Sequence, residues 1–188
     1  METGRAEERA ASRRAFDPFG DRPSRDIRNT LSEAFVAAWR DHESNYTAVA
    51  EDLKRRHPDP VYKGYIDERL GRYRAALEDL RKTARPGLLE EVMILWNRGL
   101  FFEVHEVLEI DWHETRGVQR EIRKTLIQAA GVYMHRESGR CQAAEKLGLK
   151  ACTRLMDLKA HFKAIANLDE LCRGLRSPDA APPILRRL

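Results

Sequence analysis

Apolar residues recur every three or four positions along most of the chain, with charged residues between them. One such stripe consists of Ile66, Leu70, Tyr73, Leu77 and Leu80. This spacing places apolar side chains on one face of an α-helix, where they can be buried together. Runs that alternate β-branched and polar residues do not occur, and neither do the Asn-Gly or Asp-Gly pairs of tight hairpins. The pattern therefore predicts an all-α fold.

Proline and glycine residues interrupt this pattern and set the limits of the predicted helices. Asp59 is suited to cap a helix that starts at Pro60, and Gly99, Gly117 and Gly139 mark later breaks. The helices predicted in this way cover about residues 24–39, 45–56, 60–80, 88–98, 100–114, 118–137, 140–157 and 167–173. Because the breaks are short, consecutive helices should pack as antiparallel neighbours. We expect a compact helical bundle of antiparallel helix hairpins with an N-terminal helical extension.

The same breaks divide the chain into four predicted segments. Residues 1–23 are polar and lack periodicity, which is typical of a disordered or loosely docked arm. Residues 24–85 are predicted to form the helical extension, and residues 88–157 the core helical domain. Residues 158–188 are predicted to form a short C-terminal helix and a Pro-rich tail.

Charge gives little indication of a nucleic-acid or membrane partner. Charged residues make up 34 % of the 188 residues, but the net charge is only +4, and basic residues are mixed with acids. Nucleic-acid binding is therefore not indicated, since it usually needs a basic patch. The apolar run Val92 to Trp96 is far too short to span a bilayer. The N-terminal region has no apolar segment of the kind found in secretory signals, so we do not expect secretion.

The cysteines suggest a reducing environment. Cys141, Cys152 and Cys172 are odd in number, and no two have C-x-x-C spacing. Such cysteines are usually free thiols in a reducing compartment rather than a disulfide framework. We therefore predict three free, mostly buried thiols and a cytoplasmic location.

Polar residues interrupt an apolar stripe on the predicted helix at 100–114. At 100° per residue, His105 and Trp112 lie close to one direction, with Phe101 and Leu108 on one side of them. Glu109 lies just off the centre of this stripe. The pattern predicts that burial of the stripe carries an imidazole, and with it a carboxylate, into the interior. A buried charge must be paired, hydrogen-bonded or bound to a metal ion.

Neighbouring polar residues complete the candidate cluster. Glu106 lies on the shoulder of the stripe and is predicted to be only partly covered, whereas Glu103 is predicted to point into solvent. On the next helix, Gln128 and His135 share a face and, in an antiparallel arrangement, either residue could oppose His105.

Three interpretations of the cluster remain open at this stage. The residues fit a structural network that fixes how two helices dock, a metal or catalytic site, or a ligand-binding pocket. His105 and Glu109, four residues apart, can reach a shared metal ion from one helix face. Neither an H-E-x-x-H motif nor a Glu-x-x-His pair is present. The sequence requires no cofactor, and a divalent metal is the cofactor that it allows.

The same stretch resembles a known family. The run is Asn97-x-Gly99-x-Phe101-Phe102-x-x-His105-Glu106-x-Leu108-Glu109-x-x-Trp112, and it is followed by Leu126-Ile127-Gln128-Ala129-Ala130 and by Gly139 with Ala144 and Leu147. In this order the motifs resemble the domain of unknown function 309 family of prokaryotic helical proteins, over about residues 88–157. Thr125, Arg140 and Ala143 depart from the usual family pattern. The resemblance implies a compact helical domain with a His/Glu/Trp/Gln signature, and it supplies no reaction.

Two functions fit these observations. The first is a helical binding or scaffolding protein, in which the stripe from Ile66 to Leu80 pairs within the chain or with a second copy or a protein partner. The second is a metal-dependent hydrolase with His105 and Glu109 as ligands and Glu106 or His135 as general base.

Overall fold

Residues 15–40, 45–83 and 86–188 are described by the computed structural model, and in these residues the chain is helical without strands. The helices are α1 (Arg22–Arg40), α2 (Tyr46–Arg56), α3 (Pro60–Lys82), α4 (Leu88–Asn97), α5 (Phe101–Glu114), α6 (Gly117–Glu137), α7 (Cys141–Asp157) and α8 (Leu168–Arg176). A short 3₁₀ helix, Lys159–His161, follows α7. The predicted all-α fold class is therefore confirmed.

Local sequence signals explain where several helices begin and end. The Asn45 side chain accepts a hydrogen bond from the backbone N–H of Ala48 and so caps α2. Gly99 adopts a positive φ of 67°, and the N–H groups of Gly99 and Leu100 bond back to the carbonyls of Trp96 and Leu95. This pair of bonds is a Schellman turn, which ends α4 and allows α5 to start at once. Gly139 ends α6 in the same way.

The chain divides into two units, Met1–Gly71 and Arg72–Leu188. In the first unit α1 packs against α2, and Ile27, Leu31 and Phe35 of α1 are buried. Of the predicted arm at residues 1–23, residues 1–14 lie outside the described part of the chain. Further along, the ring of Phe16 stacks on that of Tyr65 at 3.5 Å between centroids.

In the second unit each helix from α4 to α8 packs against the next one in the sequence. The turns between α4 and α7 are short, so these helices form the antiparallel hairpins that the sequence predicts. The rings of Trp96, Phe101 and Tyr133 meet at the centre, with centroids 5.0 to 5.3 Å apart. Contacts of this type add to the stabilisation that comes from burying the rings.

The small residues of α7 allow a close approach of α8. Gly148 is buried, and a Cβ atom at this position would clash with the backbone carbonyl oxygen of Leu175. Ala144, Gly148 and Ala151 are all buried, so the small side chains of α7 form a packing surface.

The prediction of three free thiols is wrong for two of them. Cys152 of α7 and Cys172 of α8 form a disulfide, with their Cα atoms 4.8 Å apart, and Cys141 is free and exposed. The spacing of the cysteines gave no sign of this pair, because the contact arises from the packing of α8 on α7.

The stripe on α3 is buried within the single chain. Ile66, Leu70, Tyr73, Leu77 and Leu80 are all at most 7 % exposed. The alternative that this stripe pairs with a second copy is therefore not needed to cover it. None of the described helices is both long and apolar enough to cross a lipid bilayer. The predicted limits of the four segments stay a prediction, because contacts do not test which segments fold alone.

Candidate functional site

Three polar side chains meet on one face of α5. The Nδ1 atom of His105 lies 3.2 Å from Oε1 of Glu106 and 3.8 Å from Oε2 of Glu109. One ligand atom from each residue can be chosen so that all three lie within 4.8 Å of one another. We call these residues the α5 cluster. An imidazole nitrogen and two carboxylate oxygens form a donor set that suits Zn²⁺ and related divalent ions.

The α5 cluster lies at the surface rather than in the core. The exposed fraction of the side chain is 28 % for His105, 40 % for Glu106 and 47 % for Glu109. The ring of Phe102 lies parallel to that of His105, with the centroids 6.4 Å apart, and covers one side of it. The predicted burial is therefore wrong for Glu109 and only partly right for the imidazole, whereas the partial cover of Glu106 agrees with its predicted position on the shoulder of the stripe.

The α5 cluster is exposed because a different face of α5 is buried. Val104, Val107 and Leu108 are fully buried, and their spacing of three and four residues defines the packed face. This face is about 100° around the helix from His105. The first turn, residues 101–104, is buried on all sides, so its two phenylalanines did not distinguish the packed face from the open one.

The bonds of the α5 cluster stay within α5. Among the described residues, His105 has polar contacts only with Glu106 and Glu109, both on its own helix. These contacts therefore give no support to the interpretation of the residues as a network that docks two helices. A polar contact that does join α5 to α6 is the ion pair of Asp111 with Arg123.

Trp112 lies beside the cluster and is partly covered by α6. The guanidinium of Arg120 lies over the indole ring, with its Cζ atom 4.1 Å from the ring centroid. This geometry is a cation–π contact. The indole Nε1 atom is buried and has no hydrogen-bond partner among the described residues.

The two predicted partners on α6 do not join the cluster. In the described part of the chain no hydrogen bond connects His105 to Gln128 or His135. Burial lowers the pKa of His135, and the nearby positive charge of Arg140 lowers it further. The imidazole of His135 is therefore held in its neutral form at neutral pH.

Sequence reasoning missed a buried polar pair close to the cluster. The Tyr73 hydroxyl donates a hydrogen bond of 2.6 Å to Oε1 of Glu103, and both residues are almost fully buried. The prediction that Glu103 is solvated is wrong, because it lies in the first turn of α5, which is covered on all sides. The signal was Tyr73 itself, since a tyrosine in an apolar stripe needs an acceptor for its hydroxyl.

Comparison with known proteins finds a family model that matches part of the chain, and this family has no assigned activity. Residues 89–147 match the model of a family described as Domain of unknown function (DUF309). The resemblance seen in the sequence is confirmed over these residues, which include α4, α5, α6 and the start of α7. No curated protein and no solved structure matches the chain. The biochemical function is therefore unknown, and the α5 cluster lies inside the matched segment.

Proposed function

We propose that this chain is a helical binding protein whose α5 cluster holds a divalent metal ion. The observation that carries the proposal is that the Nδ1 atom of His105 lies 3.2 and 3.8 Å from two carboxylate oxygens. In a tetrahedral site with ligand bonds near 2.1 Å, ligand atoms are about 3.4 Å apart. The two distances lie on either side of this value and all three ligand atoms lie within 4.8 Å of one another, so rotation of the side chains would complete the geometry.

The exposure of the cluster favours a site that binds something from solution. Three protein ligands leave at least one coordination position for water or for another molecule. The carboxylates are 40 and 47 % exposed, so this position faces solvent. We propose that a side chain of a protein partner, or of a second copy of the chain, occupies it. Light scattering with and without metal tests the second copy, and a monomer in both conditions would exclude it.

Metal titration tests the proposal directly. Untagged protein freed of metal by a chelator is titrated with Zn²⁺ and with Mn²⁺ in a calorimeter. We expect one equivalent of metal to bind, and His105→Gln or Glu109→Gln to weaken binding at least tenfold. His113→Gln and Glu114→Gln are matched controls, because both residues are exposed on the same helix.

The outcome of the titration shows whether the α5 cluster binds a metal ion. If no metal binds, or if the control variants weaken binding as much as the cluster variants, the proposal is wrong. Metal bound only to folded protein also raises the free energy of unfolding, by about 2.7 kcal/mol at a concentration of 100 times Kd. A thermal shift in the wild type that is lost in Glu109→Gln therefore gives an independent measurement.

The alternative of a metal-dependent hydrolase has less support. Of the two general bases predicted for it, Glu106 is itself part of the proposed ligand set, and His135 makes no bond to the cluster. The hydrolase therefore rests on the same cluster and on no further observation among the described residues.

We also propose that the protein works in the cytoplasm. Cys141 is exposed and unpaired, and an exposed free thiol is better preserved in a reducing compartment. Fractionation of the cells that make the protein tests this, and recovery outside the cytoplasm would exclude it.

A further inference from the structure

The chain after α8 crosses back over α4 as a strap. Residues 177–188, which we call the C-terminal strap, follow the end of α8 without forming a helix. The indole N–H of Trp96 donates to the carbonyl of Pro183 at 2.9 Å. The Asn97 side chain donates to the carbonyl of Leu185 at 3.0 Å and accepts from its N–H at 2.7 Å. These bonds connect the strap to the last turn of α4.

A side chain of α6 bonds to the end of α8, where the C-terminal strap begins. The guanidinium of Arg136 donates to the carbonyls of Gly174, Leu175 and Ala180, at 3.0 to 3.2 Å. Two of these carbonyls belong to the last turn of α8, where the helix leaves carbonyls unpaired. A cation at this end of a helix also interacts favourably with the helix dipole.

A disulfide lies close to the same end of α8. Cys172 is on α8, two residues before Gly174, and is bonded to Cys152 on α7 across a sequence separation of 20 residues. The Cα atoms are 4.8 Å apart, which is within the range that a disulfide spans without movement of the backbone. The two residues are only 5 and 8 % exposed.

We propose that Cys152 and Cys172 form a redox-reversible clasp that sets how firmly α8 and the C-terminal strap are held against α6 and α7. The reduced state requires no movement of the backbone, because two thiols need no bond across the 4.8 Å between the Cα atoms. The bonds from Trp96, Asn97 and Arg136 involve neither cysteine, so we expect reduction to loosen the strap and to leave the fold in place.

The strap forms one wall of a cavity, so the redox state of the two cysteines would change how open this cavity is. A cavity of about 520 Å³ is lined by Phe101 and Tyr133 on one side and by residues 178–182 of the strap on the other. Burial raises the pKa of Tyr133 to about 12, so its hydroxyl stays protonated. A looser strap exposes these two aromatic rings to solvent more often.

The chemistry is a thiol–disulfide exchange with a small disulfide such as oxidised glutathione. The thiolate of one cysteine attacks a sulfur of the small disulfide, forms a mixed disulfide and releases one small thiolate. The thiolate of the other cysteine then attacks the protein sulfur of the mixed disulfide. This step forms the bond between Cys152 and Cys172 and releases the second small thiolate. The two cysteines lose two electrons and two protons, and the small disulfide gains both electrons.

The experiment compares the two redox states of one full-length chain. The Cys141→Ser variant removes the exposed thiol and leaves only the pair. It is equilibrated in a series of reduced and oxidised glutathione mixtures, the remaining thiols are alkylated, and the mass gives the oxidised fraction. We expect the pair to change from oxidised to reduced within the series. Hydrogen exchange is then measured on both forms.

We expect amides of α8 and the strap to exchange roughly 100-fold faster in the reduced form, because closing a 20-residue loop restricts local opening. Amides of α5 should be unaffected. The Cys141→Ser, Cys172→Ala double variant is the control, and its exchange should not respond to glutathione. Thiols that stay reduced throughout, a bond that resists the most reducing mixture, or equal exchange in both forms would each overturn the proposal.

Discussion

The buried bond between Tyr73 and Glu103 should contribute more to stability than the exposed α5 cluster. Tyr73→Phe deletes one hydroxyl and keeps the ring, so it leaves Oε1 of Glu103 buried without this donor. His105→Gln removes an imidazole that is already 28 % exposed and whose polar contacts lie within its own helix. The sequence alone indicated the opposite order, because it placed His105 in the core and Glu103 in solvent.

The size of each effect follows from burial. A hydrogen bond to a charged group contributes about 1.5–3 kcal/mol, and the partner that remains here is 0 % exposed. We expect Tyr73→Phe to lower the free energy of unfolding by about 2 kcal/mol. For a chain of this length this corresponds to a fall in Tm of about 4–8 °C. Exposed ion pairs contribute about 0–1 kcal/mol, so His105→Gln should lower Tm by at most about 4 °C.

Urea denaturation followed by circular dichroism, in metal-free buffer, measures both variants. The slope of the transition should be the same in both variants, so that a change in midpoint reports stability. Glu109→Gln is a second test of the cluster and should behave like His105→Gln. If His105→Gln lowers the free energy of unfolding as much as Tyr73→Phe does, the cluster has a structural role and this reasoning is refuted.

Two further predictions concern packing and pH. Gly148→Ala should destabilise the protein by about 1–3 kcal/mol, because the added Cβ atom would meet the backbone carbonyl of Leu175. Gly64→Ala should stabilise α3 by up to about 1 kcal/mol, because the space at its Cβ position is open. Urea denaturation of both variants measures the difference. The free energy of unfolding should fall as pH decreases below about 6.5, because His135 has a lowered pKa when folded and takes up its proton more readily when unfolded. His135→Gln should remove part of this slope between pH 7.5 and pH 5, and an unchanged slope would contradict the assignment.

The helices themselves were predictable because local signals define them. Their limits are marked by the capping residue Asn45, the proline at position 60 and the glycines at 99 and 139. The spacing of apolar residues identifies the helices between these limits. Each of these signals acts within a few residues of the chain. For this reason the predicted and observed limits of α2, α4, α5 and α7 differ by about one residue.

The parts that were not predictable depend on contacts between distant residues. The disulfide of Cys152 with Cys172 exists because α8 packs on α7, and no spacing in the sequence encodes that contact. The burial of Glu103 depends in the same way on the tyrosine at position 73, 30 residues earlier. Periodicity identifies an amphipathic helix, but it does not identify the packed face when the first turn is apolar nearly all round.

The location of the packed face also bears on why the cluster consists of these residues. Val104, Val107 and Leu108 bury α5 on one side, and that burial does not require any particular side chain at His105 or Glu109. Solvated positions on a helix are usually filled by residues that favour helix and repel one another little. Glu106 and Glu109 instead bring two like charges close to one imidazole on a single turn. If the proposed function is right, binding of a cation relieves their repulsion, and we then expect the arrangement to be more stable with a metal ion than without one. This is the physical reason to test metal binding before any reaction.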